Sequence, residues 1–334
     1  MLQWDRLEGF ALDGNLIEVR AAFESGQVRD TDALFVLGLI VNVEERPNLR
    51  PIIGLLVGHC DRFTWPGLLL KCDSAERIRR LVSRGVDIDA VDHEGNTALI
   101  IAIKRYSTFD HYEHSPRMLL ECGANPNMVS TGGNRESALM AACYNTSAPV
   151  DLIRLLLENG ADATYQDILG STALHCAFSN WWLEHNQPEI TALLLQYGAN
   201  VDAATKYGYT ALHRCVERGF VQSTRLLIKA GADVNAISLF DRTPFTMCPK
   251  DGRLIAEMLL IAGANPEHMC YHDDGNYLSR VPPEERERLE ALCGNYFGKL
   301  AQFITAPPGL KGREDYRLSL DNARMIMKFA ADDF

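Results

Sequence analysis

Absences narrow the field first. The chain has nine cysteines but no Cys-x-x-Cys pair, so it lacks the spacing that begins most zinc and dithiol sites. It also lacks any apolar run of membrane-spanning length and any secretory-type apolar stretch after Met1. Together with the odd cysteine count, this leads us to expect a reducing compartment, cytoplasmic or nuclear, and no membrane partner. Positive charge is in deficit: 33 bases stand against 44 acids, for a formal charge of −11. A nucleic-acid backbone needs a cationic face, so no nucleic-acid partner is expected either. Arg77-Ile78-Arg79-Arg80 and the bases after Lys299 are too sparse for a polybasic segment and read as solvated helix faces. A phosphate-binding glycine loop, a Gly-x-Ser-x-Gly elbow, a kinase signature and a His-Glu-x-x-His pair are all missing. No catalytic residue, cofactor or metal is therefore expected.

What remains is ordinary globular material, 47% apolar and 23% charged, with enough apolar surface to fold throughout. Its length exceeds the roughly 250 to 300 residues at which single cores stop growing, so it holds several compact domains or one elongated array. Self-comparison decides for the array. A Gly-[Ala/Val]-[Asp/Asn] tripeptide recurs at Gly85, Gly123, Gly160, Gly198, Gly231 and Gly263, at intervals of 38, 37, 38, 33 and 32 residues. A second signature, Thr or Ser before a small and an apolar residue, starts at Thr97, Ser137, Thr172, Thr210 and Thr243. The two alternate in fixed order, the mark of a solenoid.

Each unit reads as two helices and a turn. Thr210-Ala211-Leu212-His213 opens a short helix that Gly219 ends, and Ser223 to Ile228 carries the apolar spacing of a second. Gly231 stops that second helix, since the position past a helix end favours positive φ. Gly170-Ser171-Thr172-Ala173-Leu174-His175, Gly208-Tyr209-Thr210-Ala211-Leu212-His213 and Leu155-Leu156-Leu157-Glu158-Asn159-Gly160-Ala161-Asp162 resemble the ankyrin family's Gly-x-Thr-Pro-Leu-His opening and Leu-Leu-Leu-x-x-Gly-Ala-Asp ending. The resemblance implies an all-α ankyrin-repeat solenoid of stacked helix-turn-helix units with β-hairpin loops.

Departures from that pattern are readable too. Asp241 replaces the turn glycine before Thr243, and proline enters the opening tetrad only at Pro244. Insertions fall around Ser107 to Ser115, around Trp181 to Pro188, and at Thr131-Gly132-Gly133-Asn134. Trp181 and Trp182 suit either helix core or partner contact. Before Gly85 the pattern decays: Ala11 to Gly26, Leu34 to Val57, and Thr64 to Val82 each read as a diverged repeat, for eight in all with the first as a cap. After Pro266 the signature stops, and Glu284 to Ile304 and Leu318 to Phe329 read as helices. We therefore expect three regions: 1–84, diverged N-terminal repeats and cap; 85–266, the ankyrin array; and 267–334, a helical C-terminal cap or docking segment.

Residues that invite chemistry have plainer readings. The resemblance implies that His175 and His213 hydrogen-bond between neighbouring units. Cys143, Cys176, Cys215 and Cys248 fall at matching places on first helices and read as small core residues. His111 and His114, beside Asp110 and Glu113, lie in an inserted loop without metal-ligand spacing. Asp273-Asp274-Gly275-Asn276 lacks the remaining ligands of a calcium loop and reads as a turn. Asp233-Val234-Asn235-Ala236 resembles the asparaginyl-hydroxylation site of some ankyrin repeats.

In ankyrin arrays the hairpin tips and first helices line the face that carries the partner. The positions that map there are His93, Glu94, Asn96, Lys104, Arg105, Tyr144 and Asn145 in the first half. In the second half they are Ile168, Leu169, Ser179, Asn180, Lys206, Tyr207, Tyr209, Glu217, Arg218, Leu239, Phe240 and Arg242. Tips are the most solvated part of a repeat, so Ile168, Leu169, Tyr207, Tyr209, Leu239 and Phe240 are costly to expose together unless a partner uses them, or the C-terminal cap or the Trp181-Trp182 insertion folds over them. The expected function is a non-enzymatic scaffold that binds another protein through the concave face and hairpin tips of the array, from His93 to Arg242, with the second-half tips carrying the binding claim. The alternatives are an adaptor whose C-terminal segment docks to a larger complex such as a ubiquitin ligase, although no SOCS-box or F-box pattern is present, and an enzyme or enzyme subunit built on repeats.

Overall fold

The six glycines of the repeated tripeptide share one conformation, with φ between +83° and +97°, where a side chain would cost about 1 to 2 kcal/mol. In each case the next residue donates its N–H to the carbonyl five positions back. Val86 to Leu81, Ala124 to Leu119, Ala161 to Leu156, Ala199 to Leu194, Ala232 to Leu227 and Ala264 to Leu259 make these bonds at 2.9–3.2 Å. This is the Schellman closure, and it satisfies carbonyls that the helix end leaves open. Six chain reversals at near-constant spacing follow from one residue type at one position.

The structure is a computed structural model that describes residues 11, 13, 15–24, 36–37, 49–60, 62–72, 74–106, 115–179, 186–249, 252–265, 283, 287 and 291. The chain divides into two compact units, residues 1–167 and 168–334. In the first unit the helices are α1 (Leu16–Glu24), α2 (Leu49–His59), α3 (Trp65–Leu69), α4 (Ala75–Val82), α5 (Ala98–Lys104), α6 (Ser115–Glu121), α7 (Ala138–Tyr144) and α8 (Val150–Glu158). First helices α3, α5 and α7 stack in succession, and second helices α4, α6 and α8 stack behind them. The second unit repeats the plan with α9 (Ala173–Ala177), α10 (Gln187–Gln196), α11 (Ala211–Glu217), α12 (Val221–Lys229), a 3-10 turn (Phe245–Met247) and α13 (Arg253–Ile261). There α9, α11 and the 3-10 turn form one row, and α10, α12 and α13 the other.

Position in the stack sets the composition of each row. A first helix lies between two neighbours, so α5 buries every residue from Ala98 to Ile103. A second helix faces solvent on one side and is amphipathic: α8 buries Leu152, Ile153, Leu156 and Leu157, and α4 buries Ile78 and Leu81 while Arg79 and Arg80 reach Glu76 at 3.7 and 3.5 Å. The basic run there is thus a solvated helix face.

The expected hairpins are short. Among the described residues there is no strand, only single antiparallel bridges between Val91 and Thr97, Val129 and Ser137, and Ala204 and Thr210. The unit opened by Thr243 also differs, because its first helix is a single 3-10 turn. Pro249 follows Cys248 and has no N–H to give the carbonyl of Phe245, so an α-helix cannot extend there. The lengthening loops with His111, His114, Asn180, Trp181 and Trp182, the turn at Asp273, and nearly all of 267–334 lie outside the described residues.

Candidate interaction surface

Tip geometry begins at the helix-opening tetrads. A first helix exposes unpaired N–H groups at its start, and a Thr or Ser hydroxyl at the N-cap accepts one of them. Thr97 and Ser137 do this for Ile100 and Met140, at 3.3 Å each. Thr172 and Thr210 go further. The N-cap N–H of Thr172 donates to Nδ1 of His175 at 3.2 Å, and that of Thr210 to Nδ1 of His213 at 3.1 Å, completing reciprocal capping boxes. Because Nδ1 accepts, Nε2 carries the proton. It donates to the backbone carbonyl of the next repeat: His175 to Tyr209 O and His213 to Arg242 O, both at 3.0 Å. Both histidines therefore tie one repeat's cap to the backbone just past the next repeat's tip, as the resemblance implied.

A second set of bonds stacks the tips themselves. Lys206 N–H reaches Leu169 O and Leu239 N–H reaches Tyr207 O, each at 2.8 Å. The backbones approach closely enough that Gly208, at φ +77°, would place a Cβ 2.9 Å from the Cα of Ser238. In the last tip the side chains alternate. Ser238 points inward, where its hydroxyl accepts the N–H groups of Phe240 and Arg242, and Ile237 and Leu239 point out.

This places an apolar surface on the tips of the second unit. Leu239 is 74% exposed, Ile237 56%, Tyr207 50%, Phe240 48% and Ile168 43%. The rings of Tyr207 and Phe240 stack at 6.3 Å, and those of Tyr209 and Phe240 at 6.1 Å. Tyr209 lies beneath, at 9% exposure, with its ring edge-on to His213 at 5.6 Å and the Arg214 guanidinium 4.9 Å above its centre. The expectation that Tyr209 belongs to the accessible tip therefore changes: it supports the surface from below. Leu169 is half-buried, Lys206 and Glu217 are exposed, and Arg218 and Arg242 are half-buried. Glu217 holds Arg214 at 3.1 Å. Sequence reading passed over Ile237, whose signal is the outward alternation with Leu239, and Arg214, whose signal is its place one residue after the capping histidine.

The matching positions of the first unit are polar and mostly tied down. Lys104 Nζ bonds Glu136 at 3.1 Å and Asn96 Oδ1 at 3.2 Å. Asn145 donates to the Ile103 carbonyl at 2.7 Å. His93, Glu94 and Arg105 are exposed, and Tyr144 is the one large exposed aromatic among these positions.

Burial pushes the thiols of Cys143 and Cys215 up to about 12, so at neutral pH neither offers a thiolate. Cys248 is buried and Cys176 half-buried. Burial, the largest influence on His213, holds its imidazole below the ordinary range and keeps it neutral. Among the described residues no group of three His, Cys, Asp or Glu is placed to hold a metal ion, and no helix is long and apolar enough to cross a membrane.

Comparison with known proteins agrees with the repeat architecture. The family model described as "Ankyrin repeats (3 copies)" matches residues 68–167, 110–205, 150–238 and 183–270. The solved ankyrin repeat domain of Bcl-3, described as a member of the IkappaB protein family, is similar with a TM-score of 0.50 and 27% identity, covering 66% of this chain and 96% of that one. Among curated proteins, the B-cell lymphoma 3 protein homolog of Mus musculus is 30% identical over 154 residues, 45% of this chain and 32% of that protein. The "Probable E3 ubiquitin-protein ligase XBOS33" of Oryza sativa subsp. japonica is 32% identical over 149 residues, 44% of this chain and 22% of that protein. The matched part of the chain thus spans a third or less of these curated relatives.

Proposed function

Because the chain belongs to the ankyrin-repeat family, with the family model matching well over half of it, we propose that it is a non-enzymatic scaffold that binds a partner protein on the tips of its second unit. The observation that carries this reading is the exposed row of Ile168, Tyr207, Ile237, Leu239 and Phe240. Several large apolar side chains side by side at the most solvated part of a fold form a surface that a partner would remove from water. Aromatic and arginine residues are also those that dominate binding energy. Lys206, Glu217, Arg218 and Arg242 form the polar rim, and Tyr209 holds Phe240 in place from beneath. A stack of rigid repeats loses little conformational freedom on binding. In this reading residues 1–84 and 267–334 close the two ends of the array at 85–266. The protein works in the cytoplasm or nucleus.

The test is affinity capture from native extract with the full chain and with a Tyr207→Ala/Leu239→Ser/Phe240→Ala variant. Tyr209 is left intact because it is buried. We expect the variant to keep its helical content and lose the captured partner. Equal capture by both proteins would reject the surface.

A second reading makes the array the recognition part of an adaptor, with 267–334 docking to a larger complex. It is supported by the similarity to the rice protein named as a ubiquitin ligase. Removal of residues 305–334 separates the cases: a cap lowers the melting temperature when deleted, whereas a docking tail leaves it unchanged.

A further inference from the structure

We infer that the outer face of α13, the last second helix of the stack, is a docking surface within the chain, and that its occupant is the segment 284–304. The outer side of a second helix faces solvent and should be polar. Two places on that side lie nine and two residues before the glycine of the repeated tripeptide. They hold Asp151 and Glu158 in α8, Glu189 and Gln196 in α10, and Gln222 and Lys229 in α12, all exposed. In α13 the same places hold Leu254 and Ile261, and Leu254 is 59% exposed. Met258 completes a stripe at i, i+4 and i+7. The opposite side of α13 is already filled by Ile255, Ala256, Leu259 and Leu260, so stacking does not account for the stripe. One exposed leucine would need no explanation, but a change from polar to apolar at both places does. A helix that is apolar on both faces is a buried helix, and an array that ended here would need a polar outer side to stay soluble.

Where the chain goes next identifies the occupant. α13 ends at Ile261, and the chain runs on past Asn265 to Phe334 within the same compact unit. The stretch from Asn265 to Pro283 reaches at most roughly 60 Å. A helix the length of α13 is only about 14 Å long, so the residues beyond Pro283 can return along it. Pro283, Glu287 and Ala291 are helical and exposed. At about 100° per residue they share one side of a helix, and Leu289, Leu292, Tyr296, Leu300 and Phe303 fall on the other. Such an apolar side needs an apolar counterface in its own unit, and Leu254, Met258 and Ile261 supply one. Bringing the two together removes both from water. The C-terminal segment is thereby assigned to the second-helix side of the unit and not to the tips.

The test places the photoreactive residue p-benzoylphenylalanine at position 254 of the full chain, in place of Leu254, and maps the crosslink by mass spectrometry of the purified protein. The crosslink should fall within residues 284–304 of the same molecule and be lost in Leu292→Glu/Tyr296→Glu. A crosslink between two copies, one found only elsewhere in the chain, or none at all would overturn the assignment. A second measurement uses Leu254→Glu/Ile261→Glu, which restores the polar class of the preceding helices. Tryptic cleavage at Arg286, Arg288 and Lys299 should quicken by about tenfold or more, because cleavage follows the population in which the segment is released. Gln222→Glu, at the matching place in α12, should leave those cleavage rates as they are. Equal rates in the unaltered chain and both variants would also overturn the inference.

Discussion

The two units build the same frame with different chemistry at the fourth place of the helix-opening tetrad. In the first unit that place holds Ile100 and Met140, both buried, and the cap is a single hydroxyl bond. In the second it holds His175 and His213, which bond backward to the cap and forward to the next repeat. Both units also stack tips through backbone bonds, Thr131 N to Gly95 O in the first and Leu239 N to Tyr207 O in the second. The histidines therefore add a tether rather than create the stack. They add it beneath the tips that expose apolar side chains, where water would otherwise compete for the backbone. The tips of the first unit, polar and cross-linked by Lys104 to Glu136 and Asn96, have no such burden.

The largest effect that sharpens this contrast is expected from His213→Leu. It leaves the Thr210 N–H without its acceptor and takes one of two donors from the Arg242 carbonyl, which keeps the Ser238 N–H at 2.9 Å, at a cost of about 2 to 4 kcal/mol. Met140→Leu, at the matching place in the first unit, conserves volume and should cost less than about 1.5 kcal/mol. Urea midpoints of the two variants measure the difference, and equal losses would break the comparison. Next comes Gly208→Ala, which adds a clash with Ser238 to positive-φ strain and is expected to cost about 2 kcal/mol or more. At Gly231 the added methyl meets nothing within 4 Å, so Gly231→Ala should show the strain of about 1 to 2 kcal/mol alone. Thermal melts of the pair isolate the close approach of the tips.

A smaller effect is expected from pH. The folded-state pKa of His213 lies below its ordinary value, so the folded protein binds the proton less readily than the unfolded chain. Stability is full above the unfolded value of about 6.5 and falls as pH drops below it toward the lowered folded value. Protonation would set an Nδ1–H against the N–H of Thr210. Amide exchange compared at pH 7.5 and 5.5 should lose protection around Thr210 and Arg242, with no matching loss around Thr97 and Ser137. The smallest expected effect is that of Leu239→Ser on stability, within about 0.5 kcal/mol, although the same change should weaken partner capture strongly.

The frame was legible because its signals are local. A helix end that needs positive φ shows as glycine, and a cap shows as Thr or Ser. The histidine tether was legible only through the resemblance, since its partner carbonyls at Tyr209 and Arg242 leave no mark in sequence. Tyr209 was misplaced because Tyr207 and Tyr209 flank Gly208, whose φ of +77° breaks the alternation that would keep both on one side. Tyr209 is thereby turned under the tip toward His213 and Arg214. The shortening of the helix after Thr243 was readable in Pro249, whose missing N–H acts four residues back.

The most direct test of the account is hydrogen exchange on the full chain with and without its captured partner. Slowed exchange is predicted at residues 206–209 and 237–242, with residues 93–96 and 131–136 of the first unit unchanged. Protection of the first unit's tips, with those of the second left as they were, would contradict it.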